Sequence, residues 1–251
     1  MSGSALFWMM AAGLGTGIGG AVVLFWRRPG DRSLDGATGF AAGVMLAALS
    51  LGLLVPALDE GPLWEVLVGL AAGTAFIAWL DHFLPHIHER FSEDGGRVKS
   101  PRHSRAWLVM AAMTLHNIPE GMAVGVAFAA GGTELGVPLA LAILFHNIPE
   151  GFAVAAPLYG TGRSPRRIAA MATATGLVEI PAALLAYVFF AAVDSLMVAG
   201  LSFAAGAMLY VAVDELIPAA MQRGNERIAS LCCAAGFIVL LGLNQVVQSL
   251  Y

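Results

Sequence analysis

Eight apolar stretches, near 5–26, 36–57, 63–84, 105–130, 136–158, 166–191, 195–221 and 227–249, divide this chain of 251 residues, with only short connections between them. A hydrocarbon core about 30 Å thick takes about 20 helical residues to cross. Each stretch is long enough, so the chain reads as an all-α polytopic membrane protein of eight spans in a single transmembrane domain, 1–251. Composition agrees, since 58% apolar and 12% charged residues compare with about 45–50% and 25% in soluble domains. No basic flank precedes the first apolar run, so it reads as a retained helix and not a cleaved signal peptide.

The basic residues test the span count. Arg27, Arg28 and Arg32 fall between spans 1 and 2; Arg90, Arg97, Lys99, Arg102 and Arg105 between 3 and 4; Arg163, Arg166 and Arg167 between 5 and 6; Arg223 and Arg227 between 7 and 8. All 13 therefore share one side, which the positive-inside rule makes cytoplasmic, with both termini outside. The other face carries Asp59, Glu60, Glu65, Glu134 and Asp194. Such a face would concentrate cations, although ordinary loop charge explains any single acid equally well. Ser92–Ser104, with glycines and mixed charges, reads as the flexible part of a cytoplasmic loop near 85–104, and His103 as a solvated residue. Cys232 and Cys233 are adjacent on one helix, cannot easily form an ordinary disulfide, and read as packing residues.

Two internal repeats follow. Phe40-Ala-Ala-Gly43-Val-Met45-Leu46 in span 2 returns as Phe203-Ala-Ala-Gly206-Ala-Met208-Leu209 in span 7. His-Asn-Ile-Pro-Glu-Gly occurs at His116–Gly121 and again at His146–Gly151. By the topology above both pairs are antiparallel, which is the pattern of a 3+2+3 inverted-repeat transporter.

The hexapeptides carry chemistry. From a rise of about 1.5 Å per residue, His116, Glu120, His146, Glu150, Glu179 and Met45 all fall near the membrane midplane. Three carboxylates there cost about 8–10 kcal/mol in all, and no Lys or Arg lies at that depth to pair with them. A divalent cation supplies the missing countercharge; two protonated carboxylates sharing hydrogen bonds are the alternative. Each His precedes its Glu by one turn, so imidazole and carboxylate share a face, with the amides of Asn117 and Asn147 at its edge.

Pro119 and Pro149 sit between those partners, and Pro181 follows Glu179 by two residues. Each removes a backbone donor, which predicts broken helices beside the three glutamates. Imidazole, carboxylate and amide donors without thiolate favour first-row divalent ions over copper(I) or calcium. Met45 read by itself is a packing residue; as a thioether ligand it would soften the site toward zinc or cadmium.

The two hexapeptides, Gly-Leu-Val-Glu179 in span 6 and Asp214-Glu215-Leu-Ile-Pro218 in span 7 resemble the ZIP family of divalent metal transporters, most closely its bacterial GufA-like and ZupT-like branch. The likeness runs from about Phe40 to Met221. It implies eight helices with outside termini, uptake toward the cytoplasm across a bacterial cytoplasmic (inner) membrane, and a homodimer. Metal ligands would fall on His116, Asn117, Glu120, His146, Asn147, Glu150, Glu179 and Met45. The family can hold two metals bridged by carboxylates, and three glutamates on neighbouring helices could do this here; some relatives have Gln-Asp where this chain has His146-Asn147, and losing that acid puts double occupancy in question and favours broader selectivity. Asp81, His82, His86, His88, Glu89, Asp214 and Glu215 resemble a cytoplasmic exit route; taken bare, the His-x-His pair is an ordinary interfacial feature.

These readings combine as alternating access around a midplane site, with spans 1, 4, 5 and 6 moving against 2, 3, 7 and 8 as the resemblance suggests. The expected partners are divalent metal ions, zinc first and iron, manganese, cobalt and cadmium after it, together with the bilayer; metal is substrate, no cofactor is expected, and no nucleic acid. The rival reading is a membrane-bound metalloenzyme or a metal sensor. The spacings usual for a dinuclear enzyme, His-Glu-x-x-His or Glu-x-x-His, are missing from the sequence.

Overall fold

The computed structural model describes residues 2–26, 29–93 and 101–248, with side chains over 2–26, 29–82 and 110–247 apart from Asp194. Arg27, Arg28, Arg97 and Lys99 lie outside the described residues, as do the side chains of His86, His88, Glu89 and His103. Among the described residues all regular structure is helical. The helices are α1 (Gly3–Ala21), α2 (Asp31–Leu49), α3 (Val55–Glu60), α4 (Leu63–Glu93), α5 (Pro101–Leu158), α6 (Pro165–Gly176), α7 (Glu179–Ala192), α8 (Met197–Val211), α9 (Ile217–Met221) and α10 (Glu226–Gln248).

Local signals explain several starts. Ser2 accepts a hydrogen bond from the Ala5 amide at 3.2 Å, and Ser164 accepts one from the Arg167 amide with Pro165 in the first turn, the side-chain cap and proline that a helix N-terminus favours. Five-residue π-helical turns, Ser50–Leu54 and Ala212–Leu216, join α2 to α3 and α8 to α9.

Seven of the described helical segments are long and apolar enough to cross a membrane, as expected of an integral membrane protein. One of them, Met110–Leu158, has 49 residues, more than twice what one crossing needs. It is interrupted at Gly131 (φ −131°, ψ 20°) and Gly132 (φ 55°, ψ −132°). Glycine allows the positive φ, and the turn falls in the interval between the fourth and fifth apolar stretches.

Two expectations need correction. Helical dihedrals continue through Pro119 and Pro149, so those prolines do not break their helices. The sixth stretch is one apolar span, Pro165–Ala192, interrupted as expected beside Glu179, where α6 ends at Gly176 and α7 begins at Glu179. Pro181 is thereby accommodated in the first turn of α7, where its missing amide proton costs little. The interval 85–104 is also largely helical: α4 continues to Glu93 and α5 starts at Pro101, since nothing between Pro85 and Gly95 stops a helix and Pro101 can begin one.

The core is built on backbone approach at glycine. A Cβ on Gly43 would lie 1.9 Å from the Cys233 carbonyl, and one on Gly236 would lie 2.3 Å from the Phe40 carbonyl. The same reciprocal contact recurs elsewhere: Gly206 against the Leu70 carbonyl at 2.0 Å and Gly73 against the Phe203 carbonyl at 1.9 Å. Phe40 and Phe203, Gly43 and Gly206, Leu70 and Cys233, and Gly73 and Gly236 are each 163 positions apart. The α2–α10 and α8–α4 pairs therefore meet through equivalent residues. Without hydrophobic driving force between spans, such close packing is what holds membrane helices together.

Candidate metal centre

The two hexapeptides lie on either side of the Gly131–Gly132 turn, and the fold brings parts of both into one cluster. Glu120, His146 and Glu150 are fully buried, and each presents a ligand atom within 4.8 Å of the other two. His146 Nε2 is 3.1 Å from Glu120 Oε1 and 3.5 Å from Glu150 Oε2. On the other edge of the ring, Nδ1 lies 2.9 Å from the Ala41 carbonyl of α2. A carbonyl only accepts, so Nδ1 carries a proton, and in the neutral ring Nε2 turns its lone pair toward the carboxylates.

That geometry collects electron pairs. Among the described residues, neither oxygen of Glu120 and neither of Glu150 has a hydrogen-bond donor. Buried acceptors without partners are costly, and a lone pair facing two carboxylates needs a proton or a cation between them. An imidazole whose second nitrogen bonds to a backbone carbonyl is the usual posture of a metal-binding histidine.

Asn147 and Glu179 form a second layer. Asn147 Nδ2 donates to Glu179 Oε1 at 2.7 Å and to the Ala12 carbonyl of α1 at 2.9 Å. Asn147 Oδ1 and Glu179 Oε2 are left without partners. Glu179 opens α7, where the exposed amides of a helix start favour a carboxylate. Asn117 is completely buried with both amide atoms unpartnered. Met45 is also completely buried, one turn beyond Ala41 on α2.

His116 lies against a different carboxylate from His146. It is buried, and its Nε2 is ion-paired with Glu215 Oε1 on the second π-turn. The pair joins a proposed ligand to the proposed exit route. Asp81 lies within electrostatic reach of Glu215, Asp214, His116 and His82. A cavity of about 590 Å³ is lined by Glu150, Asp214, Glu215 and Arg223 among others, and so connects the buried cluster with the end of the bundle that bears Arg223.

Sequence reasoning missed the backbone and the glycines. The Ala41 and Ala12 carbonyls have no side-chain signature. The final glycine of each hexapeptide has a structural reason: a Cβ on Gly121 would lie 2.3 Å from the Glu179 carbonyl, and one on Gly151 would lie 2.0 Å from that of Thr16. These contacts seat the hexapeptides against α7 and α1, and the density of glycine in α1 was the available hint.

Comparison with known proteins shows the family. The model of the family described as ZIP Zinc transporter matches residues 92–244. The chain is 36% identical to the zinc transporter ZIPB of Bordetella bronchiseptica, over 91% of this chain and 76% of that protein. It is 36% identical to the zinc transporter GufA of Myxococcus xanthus, over 96% of this chain and 98% of the relative. With the zinc transporter ZupT of Corynebacterium efficiens it shares 35% identity over 91% of each. A buried carboxylate and imidazole cluster inside a bundle of apolar helices, matched over nearly its whole length by such relatives, is that of a transporter and not an enzyme: the chain belongs to the ZIP zinc transporter family.

Proposed function

We propose that this protein carries divalent transition-metal ions, zinc foremost, across a bacterial cytoplasmic membrane into the cell, by alternating access around Glu120, His146 and Glu150. The observation that carries the reading is the convergence of three buried ligand groups, two of them carboxylates whose oxygens have no donor among the described residues. His116, Asn117, Asn147, Glu179 and Met45 complete or support the site. The 163-residue recurrence of glycine contacts supports an eight-span 3+2+3 inverted repeat, with the Gly131–Gly132 turn separating spans 4 and 5. Outside termini and a homodimer follow the family.

The cavity between Glu150 and Arg223 suits a conformation open toward the cytoplasm. A metal released from His146 would pass Glu215 and Asp214, and the His116–Glu215 pair would open to let it through. Iron, manganese, cobalt and cadmium are further candidate substrates, and one ion per site suits the amide at Asn147. The experiment is uptake of radioactive zinc into proteoliposomes by the unaltered chain and by His116→Ala/Glu150→Ala, with the other metals as competitors. Saturable flux lost in the variant supports a permease; tight zinc binding without flux would sink the proposal in favour of a sensor.

A further inference from the structure

The recurrence at 163 residues extends to the helices that flank the metal centre. Thr16 of α1 and Glu179 of α7 are 163 positions apart, as are Gly13 and Gly176. A Cβ on Gly151 would lie 2.0 Å from the Thr16 carbonyl, and one on Gly121 would lie 2.3 Å from the Glu179 carbonyl, so the last glycine of each hexapeptide packs on an equivalent place. Gly13 and Gly176 meet each other: a Cβ on Gly176 would lie 2.6 Å from the Gly13 carbonyl, and one on Gly13 would lie 3.0 Å from the Gly176 carbonyl. Thr16 thus holds, in the first half of the chain, the place that Glu179 holds in the second.

The two side chains are complementary. Both residues are buried, Thr16 completely. Asn147 and Thr16 both face the Glu179 carboxylate with a proton to give. The Asn147 bond to Oε1 is closed at 2.7 Å. The Thr16 hydroxyl stands beside the carboxylate without closing one, and Thr16 Oγ1 and Glu179 Oε2 each lack a partner among the described residues. A helical Ser or Thr can turn its hydroxyl back to the carbonyl four residues earlier, as Thr74, Thr114, Thr173 and Ser202 do here. Thr16 does not, and the carbonyl concerned, that of Ala12, receives Asn147 Nδ2. A buried hydroxyl proton without an acceptor is costly, and the oxygen that lacks a donor beside it is Glu179 Oε2. A second carboxylate at position 16 would repel the first, whereas a hydroxyl can donate to it.

We propose, resting on the transport reading above, that Thr16 is a positioning residue of the metal centre, its hydroxyl donating to Glu179 Oε2 when that carboxylate turns to a bound divalent cation. Asn147 and Thr16 then hold one oxygen each. An ionised carboxylate has lone pairs enough for both donors and the cation, and the bonds that hold a ligating carboxylate are worth about 10–100-fold in metal affinity. Thr16, Asn147 and Glu179 lie on spans proposed to move together, so the arrangement travels with the ion.

The test is calorimetric titration of the full chain in detergent with zinc, with a thermal melt of each metal-free variant to show that it is folded. Thr16→Val keeps the shape of the side chain and removes only the hydroxyl; Thr16→Ser keeps the hydroxyl. Thr16→Val should lose about 10–100-fold in zinc affinity, and Thr16→Ser should bind close to the unaltered protein. In a Glu179→Gln background Thr16→Val should cause no further loss, since the two side chains act through one contact. Unaltered affinity in Thr16→Val would overturn the inference. An equal loss in Thr16→Ser would do the same, because packing and not the hydroxyl would then matter, and so would a full additional loss on top of Glu179→Gln. These results leave the transport reading standing; absence of zinc binding by the unaltered chain would remove that reading and this inference with it.

Discussion

The Ala41 carbonyl accepts the Nδ1 proton of His146 at 2.9 Å, so a backbone group of α2 sets the tautomer and direction of a side chain on α5. This contact connects two of the helix groups proposed to move against each other. If the bundle slides, the bond must break or travel with the ring, and His146 reports the motion directly.

His146→Gln should therefore lose metal binding by at least about tenfold even though it keeps a polar side chain. Isothermal titration with zinc in detergent would show this, and undiminished affinity would remove His146 from the site.

Glu120→Gln and Glu150→Gln should each abolish uptake and yet raise the thermal stability of the metal-free protein. Each removes a carboxylate that costs about 2.5–3.5 kcal/mol at this depth and that has no donor among the described residues. Unaltered protein should gain about 2.7 kcal/mol from zinc at 100 times its Kd, and the variants almost none. A melting series with and without zinc checks both signs; a fall in metal-free stability for both variants would count against the unpartnered geometry.

Gly151→Ala should fail to assemble, because the new Cβ would be 2.0 Å from the Thr16 carbonyl with backbone on both sides. Gly132→Ala meets open space and bears only the strain of φ 55°, ψ −132°, about 1–3 kcal/mol. Yield of monodisperse protein should separate the two, with Gly132→Ala near normal.

Arg223→Ala leaves Asp35, which is completely buried, with the Asn225 amide at 3.0 Å as its side-chain donor among the described residues. A loss of about 3–5 kcal/mol is expected, and Asp35→Asn/Arg223→Gln should recover most of it. Thermal melts of the single and double variants measure the difference.

Much of this architecture can be read from the chain, and the reasons for success and failure are physical. Membrane spans and the hexapeptides follow from length, polarity and spacing, which side chains encode directly. The break beside Glu179 was legible from Pro181, but its place at Leu177 and Val178 was not, because both are as apolar as any helix interior. Asp214 and Glu215 were legible as acids, but the π-turn that carries them was not. The motif marks His116 as a ligand candidate but gives no sign of Glu215, with which its ring pairs across helices distant in sequence. Identical hexapeptides have thus acquired different neighbours, because one faces the acidic π-turn and the other faces the backbone of α2.

The space beneath Glu150 has a bearing on selectivity. A volume of about 590 Å³ corresponds to on the order of 20 water molecules, enough for a cation to regain its inner hydration sphere while still enclosed by the helices. In the proposed carrier, discrimination among metals would take place twice, once when water is stripped at the imidazole and carboxylates and again when water competes for the ion a few ångströms farther on. Ions that surrender water slowly would be filtered at the first step, and ions that hold imidazole too strongly would be delayed at the second.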